Sequence, residues 1–157
     1  MKYRLLVLVL VTILAFQCKQ KEVKGEFSFA KKETSEHLQA STTINLENKG
    51  VGPIDSVTIS EAIDVEMAGI GKELYARKCT ACHKIGSTFI GPPHNGILER
   101  RTPEWVMNMI LNPEGMLQQD SLAKALFMEF GGQLMTNQHI TEEEARAILE
   151  YFRTLDH

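Results

Sequence analysis

Cysteine is scarce in this chain of 157 residues: there are three, and two of them belong to one short motif. The third, Cys18, stands alone, so no pair is left for a structural disulfide. A zinc site with four protein ligands would need a second C-x-x-C or an H-x-x-x-H, and neither occurs. The βαβ pattern expected around a thioredoxin-like cysteine pair is missing too. The apolar run Leu5 through Phe16 has only twelve residues, against the ~20 that span a bilayer core. A net charge of −3 leaves no basic footprint for nucleic acid. No internal repeat is present. What remains, 43% hydrophobic and 24% charged residues, is the balance of one globular domain with extensions.

The short motif is Cys79-Thr80-Ala81-Cys82-His83. C-x-x-C-H is the attachment signature of c-type haem. Two thiols add across the two vinyl groups of the porphyrin and form thioethers. Two intervening residues let one helical turn present both sulfurs to one edge of the ring. The histidine follows at once, so its imidazole comes up beneath the iron as the proximal ligand. The expected cofactor is therefore one haem c per chain, held covalently by Cys79 and Cys82, with His83 on the iron.

Haem c is attached outside the cytoplasm, so an export signal is expected. Lys2 and Arg4 supply a positive start, and Leu5 through Phe16 the apolar core of a signal peptide. Cys18 then follows Ala15-Phe16-Gln17, which resembles a bacterial lipoprotein processing site. That resemblance implies a signal peptide over residues 1–18, lipidation at Cys18, and a chain anchored on the periplasmic side of a bacterial membrane. An uncleaved short anchor and a plain signal with an incidental cysteine are the alternatives. Residues 19–60 are mostly polar and read as a flexible tether. Within them Val51-Gly52-Pro53-Ile54 reads as a turn, and Val57-Thr58-Ile59 as a short extended piece packing on the domain.

Residues 61–157 read as an all-α domain of four to five helices. Met67, Ile70, Leu74 and Lys78 fall at helical spacing over 64–79, and that helix runs straight into Cys79. A loop rich in Gly and Pro follows His83. Thr102-Pro103-Glu104 starts a helix that must stop before Pro113. Another runs from near Asp120 to Gly131-Gly132, with Leu122, Ala123, Leu126, Phe127 and Phe130 on one face. Thr141-Glu142-Glu143-Glu144 is a capping box, and Ala145, Ile148, Leu149, Phe152 and Leu155 form the stripe behind it. A covalent haem would supply part of the core of so small a domain.

His83 leaves the opposite face of the iron open. The candidates are Met107, Met109, Met116, Met128 and Met135, with His94 and His139. Met107 and Met109 lie inside a helix, and Met128 on the polar side of one. Met116 is harder to exclude. Met135 sits in a loop, Gly131 to Asn137, that can carry a side chain to a ring face without sacrificing helix packing. It is the favoured ligand, since thioether is the common partner of histidine in such haems. His139, in the same stretch, is its rival.

Together these residues resemble the class I, mitochondrial-type, monohaem cytochrome c family over residues 64–157. Gly71 through Tyr75 is similar to its Gly-x-x-x-aromatic segment, and Gly91-Pro92 to its Gly-Pro. By that resemblance the Pro92 carbonyl accepts a hydrogen bond from His83 and orients it. Met135 becomes the distal ligand, although Thr136 stands where proline is common. Gly71 lies where the first and last helices cross, near Ile148 and Tyr151. The Asn-Pro between two helices before Met135 is similar to short cytochromes of bacterial respiratory chains.

The expected function is one-electron carriage between an oxidase or reductase and a donor complex, with no nucleic acid, no small-molecule substrate and no catalytic residues. From Glu61 to Asp156 there are 14 acidic and 9 basic residues, net −5, which would favour a partner with a basic docking patch. The rivals are a haem enzyme or gas-binding domain with a weak or absent sixth ligand, and a haem-bearing subunit of a larger respiratory complex.

Overall fold

The computed structural model describes residues 39–155. Among them lie six α-helices: α1 (Val65–Lys78), α2 (Ile97–Arg100), α3 (Pro103–Leu111), α4 (Pro113–Gln119), α5 (Ser121–Glu129) and α6 (Glu142–Arg153). The class is all-α, as expected. The extra helices are short. Pro113 both stops α3 and opens α4, because its missing N–H costs nothing at a first helical position. Asn112 caps that start, its Oδ1 accepting from Gly115 N at 3.3 Å.

Each of the other long helices starts on an oxygen-bearing side chain. Asp64, Thr102, Asp120 and Thr141 accept from Met67, Trp105, Ala123 and Glu144 backbone N–H respectively. At Thr141 the capping box closes, since Glu144 reaches back to the Thr141 N–H. Helices α1 and α6 make the frame of the domain. They cross at Gly71, where an added Cβ would sit 1.9 Å from the Ala147 carbonyl oxygen. Any other residue there would push the two backbones apart.

One charge is fully buried in this frame. Glu150 of α6 is 0% exposed. Its carboxylate accepts from Arg146 and Arg153, each at 2.6 Å, and from the Asp64 backbone N–H at 2.9 Å. It thus ties the start of α1 to α6. Burial alone would raise its pKa, but the Asp64 N–H and the two guanidiniums outweigh that and hold it below the usual glutamate range. Glu150→Gln should cost about 3 kcal/mol in urea unfolding, because it leaves two partly buried cations without their counter-charge. The native contribution is complete above the unfolded glutamate pKa of about 4.3. It should be lost as pH falls through the lower folded value, so the acid limb of the stability curve should flatten in the variant.

The tether expected to run to residue 60 is corrected over its described part. Residues 39–60 are a strap held on the domain. Arg101 is 3% exposed, and its guanidinium donates to the Ala40 and Thr43 carbonyls. It also lies over the Trp105 ring at 5.2 Å. Asn45 N donates to Arg100 O at 2.9 Å. Asn108, 1% exposed, accepts from Ile54 N and donates to the Lys49 and Ile54 carbonyls, all at 2.9 Å. Asn112 donates to Val51 O, and Asp120 accepts from both Asn48 Nδ2 and Trp105 Nε1. The strap needs little apolar sequence because buried polar side chains of the domain satisfy its backbone. Ile54 is buried, and Val57 and Ile59 pack on the core, as expected for that piece. Residues 19–38, the expected signal peptide and Cys18 lie outside the described residues. No described helix is long and apolar enough to cross a membrane.

Candidate haem site

The cysteine pair sits where α1 runs out. The Cys79 N–H still bonds Tyr75 O at 2.9 Å, and the Cys79 carbonyl then accepts from both Cys82 N and His83 N, at 3.1 and 2.9 Å. One tight turn beyond the helix therefore brings Cys79, Cys82 and His83 to the wall of the same cavity. Cys79 is half-buried, and burial, with Cys82 beside it, pushes its thiol up to about 11. A redox thiol needs the opposite shift, so the local chemistry argues against a disulfide exchange pair.

His83 is held on three sides. Its Nδ1 lies 2.8 Å from the Pro92 carbonyl, which can only accept, so the proton is on Nδ1 and the Nε2 lone pair is free. Burial lowers its pKa, against the Pro92 bond, and favours the neutral ring that a metal needs. Gly91 N donates to Cys82 O at 2.9 Å and brings its backbone against the imidazole. A Cβ there would lie 2.4 Å from His83 Cε1, so only glycine admits the ring. The third wall is His94, whose ring centroid is 4.3 Å from that of His83.

The cavity has a volume of about 480 Å³, within the range of cofactor sites. Ile97, Val106, Ile110, Leu126, Phe127 and Phe152 give it apolar walls, with Lys78, Arg100 and Arg101 as its cationic residues. Two cysteines and an imidazole on an apolar cavity of this size fit a covalently held porphyrin, and the cations suit its carboxylates. Met135, half-buried, borders the same cavity, as do Met109 and His139. The other sulfurs do not. Met116 is 0% exposed and its Sδ accepts from the Val51 N–H at 3.0 Å, on the strap. Met107 is buried in the core, and Met128 is 73% exposed. His94 packs against His83 with ring centroids 4.3 Å apart, too close for the two to ligate one iron from opposite faces.

The loop bearing Met135 is pinned from both sides. Lys78 Nζ donates to Gln138 O at 3.3 Å and Asn137 Nδ2 to Leu111 O at 3.5 Å. His139 closes it with a positive φ of 53°, its N–H bonded to Asn137 Oδ1. From the sequence, His94 is a candidate iron ligand, or the distal base of a haem enzyme. It is instead the back wall of His83, bonded to the Tyr75 hydroxyl at 3.2 Å. Burial, then His83 and Arg100 nearby, push its pKa down to about 3, so it stays neutral. The place of His94 two residues after Pro92 is the one signal that could have suggested this.

Comparison with known proteins agrees with the geometry. The cytochrome c family model matches residues 68–156. A cytochrome c from Rhodothermus marinus is 43% identical, over 66% of this chain and 89% of its own, with a TM-score of 0.65. An engineered cytochrome c from the same organism, bound to a carbene intermediate, is 42% identical over 66% of this chain and 89% of its own, TM-score 0.62. The cytochrome c domain of a Pseudomonas putida protein is 28% identical over 54% of this chain and 85% of its own, TM-score 0.50. No curated protein matches. Over the matched span the chain belongs to the cytochrome c family, and is a haem-binding electron carrier whose haem c is attached covalently.

Proposed function

We propose that this protein passes single electrons between respiratory redox proteins on a haem whose iron is held by His83 and Met135. The haem, when bound, supplies the one-electron couple. Cys79 and Cys82 fix it by thioethers. The Pro92 carbonyl holds the His83 Nδ1 proton and so aims the Nε2 lone pair. Met135 supplies a soft thioether, which favours the ferrous state and raises the potential. The apolar walls would exclude water, and His83 and Met135, both holding the iron, would leave it no place for a substrate.

The observation that carries the reading is the sorting of the sulfurs. Among the described methionines only Met109 and Met135 border the cavity, and Met109 is built into α3 while Met135 rides on a loop. The ferric protein should show the weak band near the red edge of the visible that methionine ligation gives. A ferric spectrum without it would contradict His83/Met135 ligation.

Cys18 places the domain at the periplasmic face of a bacterial membrane through lipid. One acyl chain holds only marginally, so a multiply acylated cysteine is needed. The excess of acidic residues in the domain suits a partner with a basic docking patch.

A further inference from the structure

We infer that His94 is a positioning residue for His83: anchored to the Tyr75 hydroxyl, stacked on Phe152 and packed at a tilt against the His83 ring, it fixes the plane in which His83 meets the iron. The inference rests on His83 as the proximal ligand. A hydrogen bond at Nδ1 gives the His83 ring a direction, but a ring also needs a face contact to fix its rotation. Gly91 touches an edge carbon, Cε1. His94 covers the face, at 4.3 Å and 33° to His83. On its far side Phe152 of α6 stacks at 4.6 Å and 22°. The three rings form a column from His83 at the cavity wall to Phe152 of α6.

The column is held from sliding. Nδ1 of His94 is bonded to Tyr75 Oη at 3.2 Å, and the Tyr75 ring is 3% exposed on α1. Edge and tilted contacts with Phe152 and Tyr151, centroids 5.7 and 5.6 Å away, hold Tyr75 in turn. The backbone is fixed as well. Pro92 and Pro93 restrict the approach to His94, and the His94 carbonyl accepts from Ile97 N at 3.2 Å where α2 begins. An aliphatic side chain could fill the space. It could neither set a ring against the imidazole nor be anchored through a hydrogen bond. Histidine does both.

The test uses the full haem-loaded chain in the ferric state and reads the proton NMR shifts of the haem ring methyls, with the midpoint potential. Those shifts follow the axial ligand planes, because unpaired spin spreads over the ring along directions the ligands set. His94→Leu removes stack and anchor; Tyr75→Phe removes only the anchor and keeps the ring; His94→Phe keeps a stack without the anchor. All three should change the spread of methyl shifts, and the double variant His94→Leu with Tyr75→Phe should add nothing to His94→Leu. The potential should move with the methyl pattern. If His94→Leu and Tyr75→Phe lower thermal stability but leave methyl shifts and potential unchanged, His94 is packing only and the inference is overturned. Tyr75→Phe without effect beside an altered His94→Leu would overturn the anchoring. Failure of His83 ligation is seen separately, as unmodified ferric protein whose proton spectrum lacks the strongly shifted ring signals of an iron-bound imidazole.

Discussion

Replacing Met135 with alanine should leave the haem covalently attached and open the sixth position of its iron. The thioethers at Cys79 and Cys82 do not depend on the loop, so haem stain on a denaturing gel should be unchanged. The midpoint potential should fall as water or a nitrogen donor replaces the soft sulfur. The ferrous variant should take up carbon monoxide readily. The loop from Gly131 to Asn137 should loosen at its far end, where single long hydrogen bonds, Lys78 to Gln138 O and Asn137 to Leu111 O, are the ties to other helices. Alanine at Met128, a largely exposed side chain, should change nothing. Met116→Ala should cost about 3 kcal/mol of stability through a buried cavity and a lost bond to Val51, with the spectrum intact. If His139→Ala moves spectrum and potential while Met135→Ala does not, the iron is bis-histidine and the potential lower.

Asn108→Ala should destabilise the domain by about 4 kcal/mol, read from the midpoint of urea unfolding. The side chain makes three hydrogen bonds to the strap, and its loss leaves Ile54 N–H, Ile54 C=O and Lys49 C=O unpaired next to a 1% exposed site. Each buried group left without a partner costs ~1–3 kcal/mol, relieved in part as the strap reaches water. The native haem spectrum should not change, because Asn108 does not border the cavity. A variant as stable as the parent would mean that residues 39–60 are dispensable to the fold, as a flexible tether would be.

The two outcomes separate what the sequence displays from what it conceals. The haem turn was legible because covalent chemistry demands cysteine, cysteine and histidine at fixed spacing, whatever the surroundings. The capping box at Thr141 and the start at Thr102-Pro103 were legible because helix ends need particular side chains close by in sequence. Gly71 pointed to a helix crossing, and α1 and α6 do meet there, at Ala147. The strap was not legible. Its signal is not periodicity of its own but polar residues at buried places on distant helices, Arg101, Asn108 and Asp120, whose burial only the fold reveals. Likewise Pro113 ends one helix and starts the next, and a sequence pattern reports the first role more readily than the second. His94 has the chemistry of a ligand, so residue type alone suggested iron, and only its stacking on His83 assigns it elsewhere.

The most direct measurement of the central claim is carbon monoxide binding to the unmodified, ferrous, full-length protein near neutral pH, followed by the optical spectrum. His83 and Met135 together fill both axial positions, so the spectrum should remain unchanged on exposure to the gas, and oxidation and reduction should follow a single one-electron wave. Prompt conversion to a carbon monoxide spectrum would mean that the sixth position is open, and that the protein works as a ligand-binding or catalytic haem domain.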